Sequence, residues 1–273
     1  MRLGSGRSSN VVVSRGGGGG GRAGLGIGGL VVLLIGAYFG VDTSGLVGGG
    51  GGGSATPQTT EQADLSDETN AWLAAVLSDT ETVWGELFQQ SGQDYPEPTL
   101  VRFTGAVDTG CGAADARTGP FYCPADQKLY LDPSFFEELS RMGAPGDFAA
   151  AYVIAHEVGH HVQNLEGTLG RSQEARSERE ASQLSVATEL QADCYAGIWA
   201  HHAETDRDVL EDGEIDEGLA AAAAVGDDRL QEAAGMEVQP ESFSHGSSAD
   251  RAAWFRRGFT SGDVGQCDTF ANV

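Results

Sequence analysis

The stretch AYVIAHEVGHHVQN, Ala151 to Asn164, holds three of the chain's six histidines in an otherwise apolar run. Alanine, valine and isoleucine at helical spacing, with no proline, predict a buried or half-buried helix over 151–162. Such a helix turns about 100° per residue, so His156 and His160, at i and i+4, share one face a single turn apart. Two imidazoles placed that way can hold one metal ion, and Glu157 leans over the same site. This is the H-E-x-x-H pattern, in which the histidines bind zinc and the glutamate acts on a water that the metal activates. Gly159 costs roughly 1 kcal/mol against alanine inside a helix. Its presence predicts that another element packs closely against the motif.

A catalytic zinc usually takes three protein ligands and a water. The extended pattern would place a glycine and a third histidine where this chain has Gln163 and Glu166, so that route is closed. The segment VATELQADCYAGIWA, Val186 to Ala200, has a helix-like apolar pattern and carries Glu189 and Asp193 at i and i+4. Glu189 is the predicted third ligand. Asp193 is the predicted acceptor for the N–H of a ligating histidine, which fixes its tautomer. An isolated acidic pair on a helix is more often a solvated face. Flanked by apolar residues, two carboxylates without a metal or a partner would be expensive to bury. The other histidines divide. His161 is rotated about 100° from His160 and is expected to pack or bond elsewhere, while His201 and His202 read as helix-end residues. His245, in SFSHGSS, is a candidate donor to the oxyanion of a cleaved carbonyl, set against an ordinary surface histidine.

Around these motifs the sequence predicts a helix-rich α+β domain. Asp64 to Gln90 reads as helix, TLVRFTG from Thr99 as strand and KLYLD, Lys128 to Asp132, as strand. PSFFEELSRM follows as a helix, and Asp147 is the expected N-cap of the metal helix. A polar segment runs from Gly167 to about Ser182, and 215–224 and SADRAAWFRRGF are helical.

Upstream the composition changes. Residues 1–22 are glycine-rich, contain Arg2, Arg7, Arg15 and Arg22 with no acid, and are expected to be a disordered cytoplasmic segment. Residues 23–41 are uncharged and about the length that crosses a bilayer core, which predicts a retained transmembrane anchor. Residues 42–62 read as a glycine-, serine- and threonine-rich tether, leaving 63–273 as the folded domain. The arginines before the apolar run predict a single-pass protein of the cell membrane, its N-terminus in the cytoplasm and its catalytic domain outside. Beyond residue 41 there are forty acidic against twelve basic side chains, a net −28. Such a surface disfavours nucleic acid and anionic lipid as partners. Four cysteines outside the cytoplasm most simply form two disulfides. Three pairings exist, and the preferred one joins Cys111 to Cys123 and Cys194 to Cys267.

HEVGHHVQ, TELQADCYAG, GPFYCPADQKLYLD and WFRRGFTSGD together resemble the neutral zinc metallopeptidases, a family of single-anchor bacterial membrane proteins, over nearly the whole chain. The resemblance implies a zincin-like catalytic domain, with the family's HExxH on His156, Glu157 and His160 and its ExxxD on Glu189 and Asp193. It also gives KLYLD a second reading, as an exposed sheet edge to which a peptide substrate adds as a strand. The expected function is that of a membrane-anchored zinc endopeptidase with Glu157 as general base. Two alternatives are a zinc-stabilised binding module of the envelope, which has no need of Glu157, and a metal hydrolase acting on cell-wall amides.

Overall fold

The computed structural model describes residues 1–15, 59–271 and 273. Its sheet is mixed and five-stranded. The strands are β1 (Val11–Arg15), β2 (Thr59–Gln62), β3 (Thr99–Arg102), β6 (Phe121–Cys123) and β7 (Lys128–Leu131), in the order β2-β1-β3-β7-β6. β1 runs parallel to β3, with Val11 opposite Leu100, and β3 parallel to β7, with Thr99 opposite Lys128. β2 and β6 close the two sides antiparallel. A separate hairpin pairs β4 (Ala106–Thr109) with β5 (Gly112–Asp115). The α+β class is as the sequence predicts.

Two expectations are overturned here. Residues 1–15 are not a disordered segment. Val11 is fully buried as the first residue of an inner strand, and Ser8 and Asn10 both bond to Glu81. The alternation that betrays a strand is hidden in VVVSR by the glycine-rich composition around it. The last four residues of the expected tether likewise form β2. In addition, KLYLD is no free edge: β7 lies between β3 and β6 and is paired on both sides. The edge on that side of the sheet is β6.

The expected anchor, 23–41, and the rest of the tether up to residue 58 lie outside the described residues. Among the described residues no helix is long and apolar enough to cross a membrane. Arg15 and Thr59 are opposite one another on adjacent strands. The chain therefore leaves the sheet and rejoins it at one place, about 5 Å apart as neighbouring strands are.

Seven α-helices among the described residues build the rest. α1 (Glu68–Gln90) starts four residues later than the sequence suggests, because Asp67 caps it by accepting from the Asn70 N–H at 2.9 Å. α2 (Ser134–Arg141) follows β7. α3 (Asp147–Glu166) is buried on every face from Phe148 to Gly159, as a helix through the centre of a domain must be. Asp147 is its first residue and not its cap, which is Gly146; the Asp147 carboxylate instead pairs with the Met1 ammonium at 2.8 Å. α4 (Glu178–Arg207) is capped by Ser177 and runs for 30 residues across α3. α5 (Glu214–Ala224), α6 (Asp227–Ala233) and α7 (Ser248–Ser261) complete the domain.

The core joins these layers. Phe148 of α3 stacks on Trp199 of α4 with ring centroids 5.7 Å apart, and Trp84 of α1 meets Tyr195 of α4 edge-on. Burial of each such side chain contributes roughly 1.5–3 kcal/mol, so the helices that carry the site are held by their apolar faces. Disulfides join Cys111 to Cys123, and Cys194 of α4 to Cys267 in the C-terminal tail.

Candidate metal and catalytic site

The site forms where α3 crosses α4. A Cβ at position 159 would sit 3.0 Å from the carbonyl oxygen and 3.1 Å from the Cα of Ala192, so glycine is what lets the two backbones approach. The helix-propensity cost of Gly159 thus yields a close crossing. That crossing brings one turn of α3, with His156 and His160, against one turn of α4, with Glu189 and Asp193.

His156 Nε2 lies 3.2 Å from Glu189 Oε2, and His160 Nε2 lies 3.5 Å from Glu189 Oε1. One ligand atom from each of the three residues falls within 4.8 Å of the others. The far nitrogen of each ring is already engaged. His156 Nδ1 is 2.9 Å from Asp193 Oδ1, and His160 Nδ1 is 2.8 Å from Gln163 Oε1. Each acceptor takes the proton on Nδ1, which leaves the two Nε2 atoms, both facing Glu189, as the ones that would meet a metal. Two imidazole Nε2 atoms and a carboxylate converging in this way fit zinc, which binds once His156 has given up its Nε2 proton.

Gln163 was not among the residues read as functional. It is fully buried, and its Nε2 donates to the Thr188 carbonyl at 2.8 Å and to Gln191 Oε1 at 2.9 Å. These bonds turn its oxygen toward His160. The signal was present in the sequence, since 163 lies three residues after His160 and so on the same helix face.

Asp193 is the most enclosed of the acidic groups here. Its Oδ1 accepts from His156, from Tyr152 and from Arg251 Nη2, and its Oδ2 accepts from Arg251 Nε at 2.9 Å. Burial raises the Asp193 carboxyl, but the Arg251 guanidinium and His156 outweigh it and hold the group below its ordinary range. Burial pulls His156 down, yet Asp193 reverses that and pushes it up to about 9 in the metal-free protein. Glu189 is opposed by burial and stabilised as an anion chiefly by His160, which leaves it well below the usual carboxylate range. Glu157 differs from both: burial raises it, and the two histidines only partly offset that. A base with an elevated pKa is better matched to proton transfer near neutrality.

His245 lies in the loop before α7. Its Nδ1 lies 3.2 Å from Asp227 Oδ1, and Asp227 Oδ2 also accepts the backbone N–H groups of Ser244, His245 and Gly246 at 2.7, 2.7 and 3.0 Å. Asp227 opens α6, so that helix start pins the whole loop. Ser185 of α4 donates to the Ser244 carbonyl at 2.9 Å and draws the loop against the helix of Glu189. His245 and Glu189 are close enough for each to stabilise the charge of the other. Burial lowers the His245 pKa, and the bond to Asp227 outweighs it and raises it. No sequence spacing pointed to Asp227.

The remaining histidines are placed elsewhere. His161 Nε2 bonds the Pro96 carbonyl at 2.6 Å and its Nδ1 lies 3.1 Å from the Tyr122 hydroxyl, tying α3 to β6. His201 and His202 bond the carbonyls of Phe259 and Gly262.

Residues 3–270 match the family described as "Putative neutral zinc metallopeptidase". The chain is 46% identical over 245 residues to the uncharacterized protein YpfJ of Escherichia coli K12, which covers 88% of this chain and 85% of that one. It is 44% identical over 220 residues to the uncharacterized protein Rv2575 of Mycobacterium tuberculosis H37Rv, covering 77% of this chain and 73% of the relative. The uncharacterized protein Mb2605 of Mycobacterium bovis matches to the same extent. No solved structure matches.

Proposed function

This chain belongs to the neutral zinc metallopeptidase family, and from that membership we propose a single activity, the hydrolysis of peptide bonds with Glu157 as general base. The observation that carries the proposal is the convergence of His156, His160 and Glu189 within 4.8 Å, with Glu157 one residue along the same helix. Zinc is the cofactor; held by those three residues, it supplies a Lewis acid that polarises a carbonyl and acidifies water.

The chain's own groups then have separate tasks. The Glu157 carboxylate takes a proton from the attacking water and later delivers it to the leaving amine. Its raised pKa suits it to both steps. His245 donates a hydrogen bond from Nε2 to the oxyanion, while Asp227 holds the ring through Nδ1. Asp193 and Gln163 keep the two ligating rings in register. The peptide is expected to lie along β6, the sheet edge tied to α3 through Tyr122.

Location belongs to the same proposal. Two disulfides suit an oxidising compartment. Because β1 is paired with β3, residues 1–15 and the catalytic domain are assigned to one side of the membrane, with 23–41 as the membrane-associated segment.

Glu157→Gln tests the chemistry. The variant keeps the three ligands and is expected to bind zinc normally while losing chelator-sensitive peptide cleavage. Cleavage at the wild-type rate would remove Glu157 as the base. Cleavage by neither protein, with zinc bound, would favour a binding role or a different amide substrate.

A further inference from the structure

Arg251, Phe255 and Gly258 are the buried residues of α7 and fall at i, i+4 and i+7. An arginine on the inward stripe of a helix needs a partner, since an unpaired buried charge is strongly destabilising. Arg251 is only 3% exposed, and it meets Asp193, which is 0% exposed. The contact is two-pronged, Nε to Oδ2 at 2.9 Å and Nη2 to Oδ1 at 3.0 Å. The same Nη2 lies 3.4 Å from the Tyr152 hydroxyl, 3.4 Å from His156 Nδ1 and 3.9 Å from Glu189 Oε2. Nη1 donates to the Val225 carbonyl at 3.3 Å.

The crossing that places Arg251 there is tight. A Cβ on Gly258 would lie 2.0 Å from the Cys194 carbonyl oxygen, and one on Gly197 would lie 2.1 Å from that of Phe255. α4 and α7 therefore touch backbone to backbone just C-terminal to the pair on both helices, which fixes the two helices against one another where Arg251 meets Asp193.

We propose that Arg251 is a positioning residue for the metal centre, fixing the plane of the Asp193 carboxylate so that His156 presents Nε2 to zinc. This rests on the zinc reading of the site. A guanidinium is a planar fork that matches a carboxylate through two parallel bonds, whereas an ammonium is a point charge without that directionality. With the fork in place, Asp193 Oδ1 is held 2.9 Å from His156 Nδ1. Without it the carboxylate loses the guanidinium charge and the two bonds that fix its plane, keeping only the bonds to Oδ1 from Tyr152 and His156, and the ring is held less firmly. The rival account is that Arg251 only fastens α7 to α4. It predicts a change in stability with no change in zinc affinity among variants that fold.

The test is the zinc dissociation constant of the full chain, measured by competition with a chelator, with folding monitored by near-UV circular dichroism. Arg251→Met is expected to bind zinc about 10–100-fold more weakly, the range typical when a group orienting a ligand is removed. Arg251→Lys should fall between it and the wild type, since it restores the charge and not the fork. A folded Arg251→Met with wild-type affinity overturns the proposal. Should Arg251→Met not fold, the double variant Arg251→Met with Asp193→Asn takes its place, because it leaves no unpaired charge. That variant should match Asp193→Asn alone in zinc affinity. Wild-type affinity in the double variant would overturn the proposal. A wild-type chain that takes up no zinc overturns the zinc reading with it, whereas zinc uptake equal in all variants removes Arg251 alone.

Discussion

Replacing Gly159 by alanine sets two known effects against each other. Alanine is worth about 1 kcal/mol more than glycine in a helix interior. Against this, the new Cβ would stand 3.0 Å from the Ala192 carbonyl oxygen, 3.1 Å from its Cα and 3.4 Å from its Cβ. The first two atoms are backbone, so α4 itself must retreat by a few tenths of an ångström. Overpacking a well-filled core costs about 1–3 kcal/mol. The net expectation is a loss of about 0–2 kcal/mol. Gly85 in α1 is the control, since a Cβ there meets nothing within 4 Å. Gly85→Ala should gain about 1 kcal/mol, which raises the melting temperature by about 2–4 °C in a domain of this size. Ala192 lies between Glu189 and Asp193, so its retreat also widens the gaps of 3.2 and 3.5 Å between Glu189 and the two imidazoles. Gly159→Ala should therefore lower zinc affinity, and Gly85→Ala should not. Melting of both variants with and without zinc decides the matter. If Gly159→Ala stabilises the protein as much as Gly85→Ala and binds zinc equally well, the close crossing is not what assembles the site.

Two further predictions concern protons and the N-terminal strand. Since His156 is pushed up to about 9 in the metal-free protein, it is protonated at pH 7.5 and must release that proton on binding zinc. Apparent zinc affinity should accordingly keep rising with pH to about 9 and not level off near 6.5, and binding enthalpies measured in buffers of different ionisation enthalpy should show proton release; enthalpies independent of the buffer would contradict the Asp193–His156 pair. Removal of residues 1–15 should abolish cooperative melting of 59–273, because β3 and β2 each lose a partner. An unchanged melting curve would make β1 dispensable.

The metal-binding turn was legible because its chemistry is local. His156, His160, Glu189 and Asp193 are paired at i and i+4 within continuous helices, and helical periodicity puts each pair on one face. What the sequence withheld depends on contacts between distant residues. β1 is recognisable only through Leu100 and Gln62, which stand opposite Val11 and Val12 from 89 and 50 residues away. Its own composition argues for disorder. β7 shows alternation, yet alternation does not say whether a strand is inner or edge. Asp227 reaches His245 across a loop that no spacing rule describes. Arg251 stands between these cases. SADRAAWFRRGF presents three arginines, and only the alignment of 251 with Phe255 and Gly258 singles out the one that faces inward.

The central claim is that one zinc ion is held jointly by α3 and α4. Its most direct test is the zinc content and affinity of the full chain beside those of Glu189→Ala. One tightly bound zinc per wild-type chain, and a large loss of affinity in Glu189→Ala with the fold intact, is the predicted result. Zinc bound as tightly by Glu189→Ala as by the wild type would contradict it.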